Sequence, residues 1–208
     1  MSNVMQLSGK VYHATARANL PMIMVDGLKP LAKNRTREIQ VVDLAFDIVA
    51  EAKGVRQRRT GIFAWHDKES THSLHFDSAI LEVAVDPCTA LVLHQAWMDL
   101  AWGIVEGILV RVPSQHKDKI NALSVNELFE QLIHVQIYEG TAGEVLSELG
   151  LLYWGSGVRL ADYNVESAHA LTDKVIQSQR LFSGLMPGVN HEVALGVEPI
   201  PKERLALL

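Results

Sequence analysis

The segment Tyr12–Thr15, with the sequence Tyr-His-Ala-Thr, and the residues directly after it decide the fold. Together with the preceding valine, this segment follows a Gly-Lys turn and has the composition of a short strand. Asn19 then stands where a helix N-cap is expected, and Pro21 falls in the first turn, where its missing N–H costs nothing. Gly27 supplies a left-handed residue after the helix. The pattern predicts a strand that ends on histidine and threonine and leads at once into a short helix.

Further strands are predicted near both ends of the chain. Runs rich in branched and aromatic residues predict strands at 11–15, 61–65, 79–85 and 191–197. The spacing between these strands is too irregular for a doubly wound parallel sheet. No GxGxxG or P-loop sequence follows a strand, so the common dinucleotide-binding and NTP-binding folds are disfavoured.

Helices are predicted between the early and the late strands. Residues 41–53 are predicted to form a helix with a wide apolar face, which ends at Gly54. Residues 95–182 are predicted to be mainly helical. Two segments of that region, Ser124–Glu127 and Thr141–Glu144, have the capping-box form that marks a helix N-terminus. The chain shows no linker, so we expect residues 1–208 to form a single α+β domain.

Composition and charge limit the classes of function. No run of eighteen apolar residues occurs, and the first residues lack the charged and apolar regions of a secretory signal, so we expect a cytoplasmic protein without a membrane partner. A net charge of −5 gives no overall basic field toward nucleic acid. Cys88 is the single cysteine, and His66, His72 and His75 lack the i, i+4 spacing of a helical metal pair, so no metal site is expected.

The order of the motifs resembles that of the ADP-ribosyltransferase superfamily. Residues 12–28 are similar to its first motif, in the His-x-Thr form of the DNA-targeting ADP-ribosyltransferase toxins. Residues 61–64 resemble the Gly-Ile-Tyr-Phe-Ala strand of poly(ADP-ribose) polymerases, and Glu192 stands where the late catalytic glutamate would be. The matched segments cover roughly a third of the chain. The resemblance implies a split β-sheet core of two small sheets that form a cleft, with residues 95–182 as a helical insertion.

The same resemblance implies a toxin-like enzyme that moves ADP-ribose from NAD to an acceptor and releases nicotinamide. Glu192 and His13 would be its catalytic residues, with Glu192 stabilising the oxocarbenium-like ribose as the glycosidic bond breaks. His13, Ala14 and Thr15 would bind NAD, and Phe63 would stack on the nicotinamide ring. NAD is a substrate in this chemistry, and the cleavage needs no metal.

The resemblance also implies where the acceptor binds. In the family, the loop before the glutamate faces the acceptor, so Leu185, Met186 and Asn190 are predicted to select it. The acceptor class stays open between nucleic acid, protein and a small molecule. Asn190 stands two residues before Glu192, so the Glu-x-Glu pattern of arginine-modifying toxins is absent.

Structural interpretations compete with each assignment. His13 is interpretable as a structural histidine, Thr15 as a helix-starting hydroxyl and Phe63 as a core residue, while Glu198 is the other carboxylate near the last strand. The basic run 56–59 is either a solvated turn or a contact for phosphates.

Two other functions remain open as well. One is a catalytically degenerate module that binds an ADP-ribosyl ligand or a partner, a reading left open by Phe63 in place of the polymerase tyrosine. The other is an RNA 2′-phosphotransferase, whose spaced arginines and histidine we do not find.

Overall fold

The secondary structure comes from a computed structural model that describes residues 9–30, 35–54, 61–69, 71, 78–137, 140–179, 191–196 and 198–208. Within these residues the helices are α1 (Leu20–Asp26), α2 (Arg37–Lys53), α3 (Ala96–Val110), α4 (Ser114–Ala122), α5 (Val125–Leu132), α6 (Ala142–Gly155) and α7 (Val165–Gln179). The strands are β1 (Gly9–Thr15), β2 (Ile62–Trp65), β3 (Ala79–Val85), β4 (Leu91–His94), β5 (Gln136–Ile137), β6 (Gly140–Thr141), β7 (Val158–Arg159), β8 (His191–Gly196) and β9 (Leu205–Leu207).

The principal sheet joins strands from both ends of the chain. Its order is β7-β4-β8-β2-β1-β3-β9, and the registered pairs are antiparallel. Strands β1 and β3 pair continuously over seven residues, whereas β1 and β2 share one registered pair, Tyr12 with Trp65. The expectation that the core consists of two small sheets forming a cleft is therefore corrected: the core strands form one seven-stranded sheet, whose halves meet at a narrow β1–β2 junction. Strands β5 and β6 form a separate two-stranded sheet.

Apolar clusters cover both faces of the sheet. On one face, helices α2, α3 and α6 pack against one another and onto Phe63, Leu93 and Ala194. On the other face, Val11 and Val193 belong to a second cluster that includes residues of α1. The region 95–182 is mainly helical, as predicted, and supplies most of the first layer. Strand β7 is an exception, since it comes from this region and pairs with β4. No helix of the described residues is long and apolar enough to cross a membrane.

The predictions of helix ends from local sequence were confirmed for some helices and wrong for others. Ser124 and Thr141 both form capping boxes, each with the glutamate three residues on. Asn19 does not cap α1 through its side chain, because a 3₁₀ turn over residues 17–19 leads into the helix. Gly27 has a positive φ of 84°, but its ψ of 175° is extended rather than left-handed helical.

The conformation of Gly27 gives a test of how α1 is attached to the sheet. A Cβ on Gly27 would lie 2.4 Å from the backbone oxygen of Ile200, which also accepts a hydrogen bond from Leu28. Gly27→Ala is therefore expected to destabilise the protein by about 2 kcal/mol, because strain and a backbone clash add. Gly54→Ala is the matched control, with φ +66° and no described atom within 4 Å of the added Cβ. Equal losses of unfolding free energy in urea would contradict the proposed clash.

Candidate functional site

Strands β2 and β8 bring the predicted aromatic residue and the predicted glutamate to one face of the sheet. Trp65 is paired with Glu192, and Phe63 is paired with Ala194. Side chains of directly opposed residues lie on the same face, and so do residues two apart in one strand. Phe63, Trp65 and Glu192 therefore share the face that the helical layer covers.

Glu192 lies beneath this helical layer and is 4% exposed. Its Oε1 accepts a hydrogen bond of 3.0 Å from the hydroxyl of Tyr153, which lies on α6. A buried carboxylate costs free energy unless polar groups compensate for the lost water. The glutamate is therefore built into the interior and is not an outward-facing strand residue, which was the competing interpretation.

His13 lies at the β1–β2 junction. The alternation of β1 would place it on the face opposite to Glu192, but its ring reaches the backbone of β2, where Nδ1 lies 2.8 Å from the carbonyl oxygen of Phe63. A carbonyl oxygen only accepts, so Nδ1 carries the proton and donates. In the neutral ring Nε2 is then the acceptor nitrogen.

A cavity of about 300 Å³, which we call the Glu192 cavity, joins these residues. Four of the predicted site residues line it together, although they come from opposite ends of the chain. Its lining consists of His13, Ala14, Arg35, Phe63, Ala64, Trp65, Gln95 and Glu192. The structure thus brings the predicted histidine and the predicted glutamate to one cavity.

A second cavity of about 580 Å³, which we call the α1 cavity, runs beside the first helix. It shares His13 and Ala14 with the Glu192 cavity, so the two adjoin at the β1–β2 junction. Thr15 lines the α1 cavity, and its hydroxyl lies 3.5 Å from the side-chain amide nitrogen of Asn19. Thr15 therefore lies beside the α1 cavity and away from the lining of the Glu192 cavity.

Phe63 belongs to both the core and the cavity wall. Its side chain packs in the apolar cluster under the helices and is 8% exposed, yet it lines the Glu192 cavity. Only a small part of the ring is therefore accessible to a ligand. The two interpretations of this residue, core and ligand contact, are compatible.

Arg35 and Gln95 line the cavity and were not found by sequence reasoning. Arg35 Nη1 donates to both carboxylate oxygens of Asp43, at 2.7 and 2.6 Å, and Asp43 is 2% exposed. Gln95 Oε1 is buried and has no hydrogen-bond partner among the described residues. The sequence signal that could have pointed to Arg35 was Asp43, which lies within the wide apolar face of α2. A carboxylate buried in such a face needs a partner.

A cluster of histidines lies on the opposite face of the sheet from Glu192. His94 is paired with His191, and consecutive residues in a strand point to opposite faces, so His191 and Glu192 face away from each other. The rings of His94 and His191 lie 4.8 Å apart, and the hydroxyl of Tyr163 is 2.7 Å from His191 Nδ1. His66 packs against Tyr163 at 4.6 Å. No described residue pairs with the buried Nε2 of His94 or of His191.

Desolvation favours the neutral form of the histidines in this cluster by lowering their pKa values. Burial, together with the neighbouring His191, lowers the pKa of His94 to about 4. Burial also lowers the pKa of His191, with a further contribution from His66, and burial lowers the pKa of His66 against the opposing effect of Asp67. The cluster is therefore a source of pH-dependent stability rather than part of the Glu192 cavity.

Several predicted positions lie outside the described residues. They are Leu185, Met186 and Asn190 of the predicted acceptor loop, His72, His75 and the basic run 56–59. Among the described residues, no group of three His, Cys, Asp or Glu side chains is placed to share a metal ion.

Comparison of the chain with protein families, with curated protein sequences and with solved structures found no match. A functional assignment therefore depends on the residues of the two adjoining cavities and on the motifs that led to them.

Proposed function

We propose that this protein is an NAD-dependent ADP-ribosyltransferase that transfers ADP-ribose to an acceptor and releases nicotinamide. The observation that carries the proposal is the Glu192 cavity, where His13, Ala14, Phe63 and Glu192 meet. These residues were selected from sequence motifs separated by most of the chain. Their convergence on one cavity supports a common site.

The chemistry proposed for Glu192 follows from the charge of NAD. The bond between C1′ of the ribose and the nicotinamide nitrogen breaks, and its electron pair leaves with nicotinamide, which becomes neutral. The ribose then develops positive charge, and a carboxylate beside it stabilises that transition state. An acceptor nucleophile forms the new bond to C1′, and its proton passes to solvent water. Glu192 is the carboxylate among the residues that line the cavity, and its burial strengthens its electrostatic effect.

His13 and the α1 cavity suit the rest of the dinucleotide. With Nδ1 donating to the Phe63 carbonyl, Nε2 is set to accept a hydrogen bond from a ribose hydroxyl. The α1 cavity continues from this ring and has the volume of a small-ligand site, on the order of 300–1,000 Å³. We assign the adenosine half of NAD to the α1 cavity and the nicotinamide half to the Glu192 cavity.

Arg35 supports the binding of a phosphorylated ligand. Its guanidinium lies in the wall of the Glu192 cavity and is held by the buried carboxylate of Asp43. Guanidinium groups bind phosphate oxygens through charge-assisted hydrogen bonds. A cation fixed in this wall suits the diphosphate that links the two halves of NAD.

The test of the proposal is release of nicotinamide by the purified full chain. The chain is incubated with NAD and with host nucleic acid or protein, nicotinamide is quantified by chromatography, and mass spectrometry searches each acceptor for an added ADP-ribose. We expect nicotinamide release and one modified class of acceptor. NAD binding without release would identify a degenerate binding module instead. Transfer of an RNA 2′-phosphate to NAD would identify a phosphotransferase.

Phe63 provides a test of nicotinamide placement that does not depend on turnover. Phe63→Leu keeps most of the apolar volume and removes the aromatic ring, so we expect the free energy of NAD binding to weaken by about 1 kcal/mol. Titration calorimetry measures this loss. Phe129→Leu is the matched control, since Phe129 packs against the same apolar cluster but does not line the Glu192 cavity. Equal NAD affinity in the two folded variants would show that the ring of Phe63 does not contribute to NAD binding.

A further inference from the structure

Two side chains of the helical region 95–182 reach the proposed site: Gln95 lines the Glu192 cavity, and Tyr153 contacts Glu192 itself. Tyr153 lies on α6, is fully buried, and donates its hydroxyl to Glu192 Oε1 at 3.0 Å. Helix α6 belongs to the region 95–182, which no family motif covers. A contact from this region to the proposed catalytic carboxylate gives the helical layer a role beyond covering the sheet.

The ring of Tyr153 is fixed by its aromatic neighbours. Its centroid lies 5.3 Å from that of Phe46 on α2 and 4.8 Å from that of Trp154, with the Trp154 ring nearly perpendicular. Trp154 is itself anchored, because its Nε1 donates to the backbone oxygen of Phe46 at 3.0 Å. Tilted and edge-on aromatic pairs of this kind are favourable. The hydroxyl of Tyr153 is therefore presented to Glu192 from a rigid support.

We propose that Tyr153 is a positioning residue for Glu192, an inference that rests on the proposed ADP-ribosyltransferase function. A carboxylate whose one oxygen accepts a hydrogen bond from a fixed hydroxyl is held in one rotamer. Its charge is then directed at a fixed point of the cavity before NAD binds. Small displacements of a group that acts on the transition state lower the rate of the chemical step more than they weaken substrate binding.

Tyr153→Phe removes the hydroxyl and retains the ring. We expect kcat for nicotinamide release to fall by about ten- to a hundredfold, while KM and Kd for NAD change by less than about twofold. Tyr163→Phe is the matched control, because it also deletes a hydroxyl bonded within this part of the sheet, at 2.7 Å from His191 Nδ1. Since His191 and Glu192 lie on opposite faces, Tyr163→Phe should retain kcat within about twofold even where it lowers stability.

Phe46→Leu is a second variant, and it decides the outcome if Tyr153→Phe does not fold. It removes one of the two aromatic neighbours that hold the ring of Tyr153, and Phe46 does not line the cavity. A lowered kcat with an unchanged KM in a folded variant supports the inference.

The outcomes separate this inference from the proposed function. A wild-type chain that releases no nicotinamide overturns both. If the wild type is active and folded Tyr153→Phe has the same kcat, the positioning role alone is overturned. If Tyr153→Phe does not fold, an unchanged kcat in Phe46→Leu overturns it in the same way. Equal kcat losses in Tyr153→Phe and Tyr163→Phe also overturn it, because the loss would then follow from a general disturbance of the sheet.

Discussion

Glu192→Gln is expected to leave the fold and the affinity for NAD nearly intact and to lower the rate of ADP-ribose transfer by about a hundredfold or more. The two side chains are nearly isosteric, and the amide oxygen of glutamine can still accept the hydrogen bond from Tyr153. The substitution removes the negative charge that stabilises the developing oxocarbenium. Electrostatic contributions of this kind are worth about 3 kcal/mol in rate. Nicotinamide release under saturating NAD measures the effect.

Glu198→Gln is the control for this prediction. Glu198 is the other carboxylate near the end of β8, but it is exposed and does not line the Glu192 cavity. Its substitution should leave the rate within about twofold of that of the wild type. Near wild-type turnover in Glu192→Gln would assign the electrostatic role to another residue.

Acidification is expected to destabilise the fold through the histidine cluster. The unfolded chain protonates His94 near its ordinary pKa of 6.5, whereas the folded chain does so near pH 4. Unfolding therefore takes up a proton between these values, so the stabilising effect of the neutral ring is complete above about pH 6.5 and is lost as the pH falls. Between about pH 7.5 and about pH 4.5 the free energy of unfolding should fall by about 2–3 kcal/mol.

Between about pH 7.5 and about pH 4.5, the contribution of the histidines to the pH dependence of stability can be distinguished from that of the carboxylates. Glu127 and Glu144 have pKa values lowered by hydrogen bonds at their capping boxes, so they lose stabilisation only as the pH falls below the ordinary value of 4.5. His191 and His66 change stability in the same direction as His94. His94→Asn removes the titrating ring and retains an acceptor for the Ala96 N–H, so urea titrations of this variant should depend less on pH. If the free energy of unfolding of His94→Asn changed with pH as steeply as that of the wild type, His94 would not be the source of the pH dependence.

Local patterns were sufficient to locate most of the central strands. Strand β3 has the predicted bounds of 79–85, because an apolar run bounded by turn residues is a local signal. Strand β9 was missed, since a three-residue strand after Pro201 is defined by its pairing with β3 and not by its own composition. The start of α2 at Arg37 also precedes the predicted start, because its first turn is polar.

The strand-borne site residues could be predicted, and the residues around them could not. His13, Phe63 and Glu192 occur in motifs whose order along the chain is informative. Tyr153 and Arg35 reach the same region through the packing of α6 and through the pair with Asp43, which are tertiary contacts. The helical periodicity of α6 indicates an apolar face, but it does not show that one tyrosine on that face meets a carboxylate.

A crystal structure of Glu192→Gln with bound NAD tests the central claim most directly, because this variant is expected to bind the dinucleotide without cleaving it. We expect the nicotinamide ring in the Glu192 cavity beside Phe63, a ribose hydroxyl bonded to His13, and the adenosine half along α1. NAD bound elsewhere on the chain, or bound with its nicotinamide outside the Glu192 cavity, would contradict the proposed site.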